Sequence, residues 1–234
     1  MTLDGVRALM FDFYGTIVDM QTGLTEAIAP YLQQKGYSGA PGRLVTWWRR
    51  THFENSMIDA LLHRDHTPYR EIGFRSLDYT LERAGVAHTD GEVRELVDAI
   101  TRLRPFADVP AALDRLRGRY QLVILSNGDR DMLASGVPYA GIAFDRVISV
   151  AESGSFKPHV ATYRKAAEIV GLEPQAICFV ANHAFDCVGA KAFGMRTAFI
   201  DRRKRPFGKG PHQPDTIVAD FNELADLLLA RNAV

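Results

Sequence analysis

Short runs that are apolar at consecutive positions constrain this chain most. Residues 121–125 (QLVIL), 176–180 (AICFV) and 197–200 (TAFI) are of this kind, and residues 6–13 and 145–150 read as further short strands. A half-buried strand alternates apolar and polar residues. A strand apolar on both faces is covered on both faces, as in parallel sheets. Between the runs, residues 109–117, 161–170 and 185–193 carry apolar residues at three- and four-residue spacing, the stripe of an amphipathic helix. This alternation predicts right-handed βαβ units and a doubly wound α/β sheet.

One block breaks the rhythm. Residues 24–34, 44–62, 69–84 and 92–103 are all helical in pattern, with turns at Pro41-Gly42 and His66-Thr67-Pro68. The expected organisation is a Rossmann-like core of residues 1–18 and 102–234, with a helical insertion of residues 19–101 after the first strand. A chain of 234 residues suits one large domain with such an insertion. The basic run Arg202-Arg203-Lys204-Arg205 reads first as a solvated loop after the last strand, with an anion contact as the alternative.

Charge and cysteine content narrow the function. Lys plus Arg and Asp plus Glu both number 28, so the basic footprint of a nucleic-acid binder is missing. Cys178 and Cys187 form neither a disulfide framework nor a Cys/His ligand cluster, and a reducing, cytoplasmic setting is expected. No apolar stretch approaches the roughly 18 residues of a membrane span. Arg7 and Asp12 interrupt the first apolar run, so no secretory leader is expected. A homodimer stays open beside a monomer.

In open parallel sheets, ligands sit at the carboxyl ends of the strands. Asp12, Tyr14 and Thr16 follow the first strand and Ser126 and Asn127 the second. Lys157 follows the third, and Asn182, His183 and Asp186 follow the fourth. A carboxylate so deep in an apolar segment is costly unless paired. It is ionised at neutral pH and able to displace a leaving group.

These segments, FDFYGT (residues 11–16), LSNG (125–128), FKP (156–158) and FVANHAFD (179–186), resemble the four motifs of the haloacid dehalogenase superfamily. Within it the chain is most similar to the L-2-haloacid dehalogenase family, whose first motif reads Asp-x-Tyr-Gly-Thr. The helical insertion resembles the superfamily's cap. The resemblance implies Asp12 as nucleophile, Lys157 as its charge partner, and Asp186 as partner of the lysine and organiser of the hydrolytic water. Thr16, Ser126 and Asn127 would supply groups to the nucleophile or to a substrate carboxylate. TWWRRTHFE (residues 46–54) is similar to the cap segment that carries a leaving-group arginine, which places Arg49 there, with Arg50 adjacent and the register open by one. Tyr69 and Phe185 would be aromatic pocket residues.

Phosphatases of the superfamily carry a second aspartate where this chain has Tyr14, and a metal-binding acid where it has Ala181-Asn182. Both changes imply metal-free attack at carbon, with no cofactor. The fourth motif also departs from the dehalogenase pattern Ser-Ser-Asn, reading Ala181-Asn182-His183. Asn182 would stand in for one altered residue, and His183 would meet the leaving group or face solvent. The resulting expectation is hydrolysis of a carbon–halogen bond at C2 of a small carboxylic acid. The alternatives are another C2 leaving group, such as a strained-ring amine, or a magnesium-dependent phosphatase. A non-catalytic binding role would leave Asp12, Ser126, Lys157 and Asp186 without a purpose.

Overall fold

The computed structural model describes residues 3–62 and 65–230. Residues 1–2 and 231–234 of the expected core, and residues 63–64 of the inserted block, lie outside the described residues. Six parallel strands form one sheet in the order β3-β2-β1-β4-β5-β6, so the fold is α/β, as the apolar runs predict. β1 (Ala8–Phe11) is central and has no exposed residue. It pairs with β2 (Gln121–Ser126) from Ala8↔Gln121 to Phe11↔Ile124. On its other side it pairs with β4 (Ile177–Ala181) from Ala8↔Ile177 to Phe11↔Val180. β3 (Arg146–Ser149) lies outside β2, and β5 (Arg196–Ile200) and β6 (Thr216–Val218) lie outside β4.

The first strand is shorter than residues 6–13, because the Phe13 carbonyl turns to accept from the amides of Ile17 and Val18. That turn frees Asp12 from the sheet's apolar interior and leaves it at the strand end. The chain runs outward from β1 to β2 and β3, then returns to β4. The crevice between β1 and β4 is therefore the topological switch point, where open α/β sheets bind ligands.

Between β1 and β2 come α1 (Met20–Gln34), α2 (Pro41–Leu62), α3 (Tyr69–Arg83), α4 (Asp90–Asp98) and α5 (Val109–Leu116). The helical pattern of residues 92–103 ends early, passing into a 3-10 turn at Ala99–Arg102. Local chemistry sets the starts: Asp19 caps α1 by accepting from the Thr22 amide at 3.0 Å, and Thr89 with Glu92 forms a capping box on α4. α3 is capped from afar. Asp129, after β2, accepts from the amides of Tyr69 and Arg70 at 2.8 and 2.9 Å, and Arg70 pairs with Asp98 and Asp131. These bonds hold the start of α3 over the strand ends.

Three elements have no counterpart in the sequence reading: α6 (Arg130–Tyr139), β6 and the last helix, α9 (Phe221–Ala230). α6 hides behind Gly136 and Pro138, and β6 is three residues long with Ile217 half exposed. α7 (Val160–Val170) and α8 (Ala184–Phe193) complete the helices and end at Gly171 and Gly194, both in left-handed conformation. No helix among the described residues is long and apolar enough to cross a membrane.

Candidate active site

The carboxylate of Asp12 sits at the floor of a cavity of about 780 Å³. Each of its oxygens has a donor. The Lys157 ammonium donates to Oδ1 at 2.8 Å. The Thr16 hydroxyl donates to Oδ2 at 2.7 Å, and His183 Nδ1 lies 3.2 Å from the same oxygen. A carboxylate only accepts, so His183 carries its proton on Nδ1 in this contact. Burial raises the Asp12 pKa, but the charge of Lys157 and the contact with His183 outweigh it and hold the group below the usual carboxylate range.

Lys157 is 1% exposed and is shared with Asp186, whose carboxylate oxygens lie 3.2 and 3.3 Å from the ammonium. Burial lowers the lysine pKa, yet the two carboxylates raise it above the ordinary value, so it stays charged. Asp186 has no exposed surface and is pushed up to about 6 by burial, against Lys157 and with Asp12. Tyr163 anchors this corner by donating to the Asp186 backbone carbonyl at 3.2 Å.

The fourth-strand turn supports Asp12 from behind. The Asn182 amide donates to Thr16 Oγ1 at 3.0 Å, and the Thr16 hydroxyl in turn donates a hydrogen bond to Asp12. Asn182 Nδ2 also donates to the Gly15 carbonyl at 3.0 Å. Gly15 has φ +89°, and a Cβ there would lie 2.9 Å from His183 Cε1 and 3.3 Å from Arg49 Nη2. Only glycine allows both side chains so near the loop that follows Asp12.

Eight of the expected site residues line the cavity: Asp12, Tyr14, Arg49, Tyr69, Asn127, Lys157, His183 and Phe185. Thr16, Ser126, Asn182 and Asp186 lie outside its lining and are buried. Ser126 Oγ accepts from the Gly128 amide at 3.2 Å, and Asn127 Oδ1 accepts from the Lys157 amide at 3.0 Å. In the structure these two residues shape the second-strand turn and seat the lysine loop.

Tyr14 is 5% exposed, stacks on Tyr69 at 5.9 Å between ring centroids, and its hydroxyl has no hydrogen-bond partner. Burial, with neighbouring Tyr69 and Asp129, raises its pKa well above that of a free phenol. It stays protonated and is a poor proton source. Tyr69 in turn lies 4.0 Å from the His52 ring, and Phe53 lies 4.4 Å from Phe185. His52 is held neutral, with its pKa lowered to about 3, chiefly by burial.

Both arginines of the open register line the cavity, but differently. Arg49 is half-buried and donates to Gln21 Oε1 at 2.9 Å, whereas Arg50 is exposed. Gln21, His52 and Phe53 were absent from the sequence reading. His52 and Phe53 could have been found there, because positions three and four residues after Arg49 share its helix face. The basic run is a loop exposed at Arg203, Lys204 and Arg205, as expected; only Arg202 departs, half-buried and paired with Asp108 at 2.9 Å, while the exposed Arg203 and Arg205 also line the cavity.

Asp12, His183 and Asp186 each bring a potential ligand atom within 4.8 Å of one another. These residues do not fit the magnesium ion known in the wider superfamily. The Lys157 ammonium already lies between the two carboxylates, where a divalent cation would meet it at contact distance.

Comparison with known proteins places the chain that carries this geometry in a family. A family model for the haloacid dehalogenase-like hydrolases matches residues 6–194. The chain belongs to this family. The hydrolase is 31% identical to (S)-2-haloacid dehalogenase 1 of Pseudomonas sp. (strain CBS-3), over 97% of this chain and 98% of that one. It is 29% identical to haloacetate dehalogenase H-2 of Moraxella sp. (strain B), over 95% and 98%. A structure of L-2-haloacid dehalogenase from Xanthobacter autotrophicus with chloropropionic acid covalently bound superposes with a TM-score of 0.84 at 28% identity. That match covers 98% of this hydrolase and 100% of the other chain.

Proposed function

We propose that this hydrolase cleaves the carbon–halogen bond at C2 of a small 2-haloacid. An Asp12 oxygen attacks C2, and the halide leaves with the bonding electron pair. Water then attacks the carbonyl of the Asp12 ester, releasing a 2-hydroxy acid, a proton and the free carboxylate. The observation that carries the reading is the pairing of an ionised, lysine-held Asp12 with a Tyr14 whose phenol is pushed too high to give up a proton. A departing halide needs no proton; a departing alkoxide from a phosphate ester does.

Each Asp12 oxygen has its own donor, so whichever one forms the ester, the other keeps a hydrogen bond that polarises the carbonyl. Asp186 holds Lys157 and, once ionised, draws the attacking water. The helices α1 to α4 act as the cap, with Arg49 receiving the leaving anion. The covalent chloropropionic acid adduct of the Xanthobacter relative supports the same chemistry. The two buried free cysteines suit a reducing, cytoplasmic setting. A second leaving group, a strained-ring amine, is favoured by one contact: the His183 ring nitrogen Nδ1 lies 3.2 Å from an Asp12 oxygen, close enough to the reacting carbon to hand a proton to a departing amine.

The deciding test is a screen of 2-haloacids, fluoroacetate included, beside a generic phosphate ester and after exhaustive chelation. Halide release that survives chelation is expected. Phosphate-ester turnover restored only by Mg²⁺ would overturn the reading.

Arg49→Ala should lower halide release by about 10²–10³, the scale of one lost preorganised donor. Arg49→Lys should recover part of it, since charge is kept while the planar fork is lost. Equal damage from Arg50→Ala would remove the distinction drawn between them.

The two chemical steps should separate with pH. Asp12 lies below the normal carboxylate range, so it stays ionised and the single-turnover halide burst should be flat from about pH 8 to 5. Asp186 is raised to about 6 and takes up a proton as pH falls through that value. Steady-state turnover, which needs ester hydrolysis, should therefore drop below about pH 6 while the burst persists. A burst and steady state that fall together would show that Asp186 does not govern hydrolysis.

A further inference from the structure

The cavity is larger and more cationic than a two- or three-carbon haloacid requires. A six-heavy-atom acid, at no more than about 30 Å³ per heavy atom, leaves most of the roughly 780 Å³ unfilled. The chain has equal numbers of basic and acidic residues, yet the cavity lining does not. Arg49, Arg50, Lys157, Arg203 and Arg205 face it, against Asp12 as the sole carboxylate of the lining.

Two of these cations have an assigned task. Lys157 is neutralised by Asp12 and Asp186, and Arg49 is reserved for the leaving anion. Arg203 and Arg205 have neither. No carboxylate among the described residues pairs with either guanidinium. They also press on their neighbours: Arg49 is shifted down by burial and then by the charge of Arg203, and Arg203 by burial and then by Arg205. Adjacent guanidinium groups at a cavity wall without an anion between them form a receptor for one.

The loop that carries them is anchored. Arg202 donates to Asp108 at 2.9 Å and to the Thr16 carbonyl at 3.2 Å, and its guanidinium lies 3.8 Å over the Phe106 ring. Asp201 Oδ1 accepts from the Arg205 amide at 3.0 Å. Lys204 takes a left-handed φ of +48°, the only non-glycine among the described residues to do so. Arg203 and Arg205, on either side of it, line the cavity, and Lys204 does not. Through Thr16 the loop is tied to the residue that holds the nucleophile.

We infer that the hydrolase takes 2-halo-dicarboxylates, with Arg203 and Arg205 receiving the carboxylate farther from the reacting carbon. This rests on the dehalogenation reading and names its substrate class. The first carboxylate sits beside the reacting C2, at the second-strand turn that Asn127 brings to the cavity. The second reaches toward the cavity mouth.

The test compares chloride release from racemic 2-chloropropionate and racemic 2-chlorosuccinate. It uses the unaltered enzyme and an Arg203→Gln/Arg205→Gln variant. The unaltered enzyme should favour 2-chlorosuccinate by roughly 10- to 100-fold in kcat/KM, mostly through KM, and the preference should shrink as salt screens the charges. The double variant should lose at least about ten times more activity on 2-chlorosuccinate than on 2-chloropropionate. Calorimetric binding of malate against lactate supplies a readout free of turnover, with malate binding more tightly and only in the unaltered enzyme. Equal rates on both acids, or equal losses in the variant, would overturn the inference and leave dehalogenation standing. Tight malate binding without chloride release from either acid would uphold the second carboxylate site and sink the dehalogenation reading. A malate affinity equal to that of lactate in a protein that releases no chloride would sink both.

Discussion

Asp12→Asn is expected to abolish halide release, with a loss on the order of 10⁴–10⁶, the range seen when a covalent nucleophile is removed. The amide is a poor nucleophile and also loses the charge that Lys157 and Thr16 are arranged to hold. The fold should survive, because asparagine keeps the size, its Oδ1 can still accept from Lys157, and the Thr16 hydroxyl can turn to accept from the new amide Nδ2. The mechanism behind the loss can be read isotopically. In a single turnover of unaltered enzyme in ¹⁸O-water, the label must enter the Asp12 carboxylate, since water attacks that carbonyl. The first product then carries unlabelled oxygen from Asp12. Label appearing directly in the product, with Asp12 left light, would reduce Asp12 to a general base.

Lys157→Met should damage both stability and catalysis. The ammonium is buried between two carboxylates, so its removal leaves Asp12 and Asp186 facing each other without a cation. Breaking a buried ion pair by deleting one partner costs about 3–5 kcal/mol. At roughly 2–4 °C per kcal/mol for a chain of this size, Tm should fall by about 6–20 °C. One carboxylate would then bind a proton, because two like charges so close cannot both ionise. Adding Asp186→Asn should restore much of the lost stability by removing that repulsion, without restoring turnover. Two independent, additive losses in this double-mutant cycle would show that the pair is not coupled. The pH dependence has opposite signs at the two acids. Asp12, lowered in the folded state, contributes stability above its unfolded value of 3.8 that is lost as pH falls. Asp186, raised to about 6, weakens the fold as pH rises from about 4 toward 6.

The pairing seen here supports the proposal that turnover needs no metal. A divalent ion and an ammonium are alternative ways to balance a nucleophilic carboxylate. In this chain the ammonium occupies the position, and the tyrosine at the second place of the first motif offers no carboxylate to recruit anything else. The stacked Tyr14 and Tyr69 form an apolar wall beside the nucleophile, lowering the local dielectric and strengthening the Asp12–Lys157 attraction.

Much was determined by the sequence alone. Apolar runs at 121–125, 176–180 and 197–200 specify strands covered on both faces, and four of the six strands are followed by polar residues sent to one edge of the sheet. Asp12, Lys157, Asp186 and His183 are legible from that logic, because strand direction alone sends them to the same place. What the linear pattern could not decide was pairing across distance. Asp129 capping α3 from the core, Gln21 holding Arg49 from another helix, and the glycine at 15 that admits His183 and Arg49 together each join residues far apart in the chain. The basic run 202–205 is solvated at 203–205, as its composition suggests, but its place beside the cavity was not legible. Only the anchoring of Arg202 to Asp108 and the left-handed turn at Lys204 bring Arg203 and Arg205 to the cavity wall. Periodicity reports which face of an element is buried; which charge meets which is set by how the elements pack.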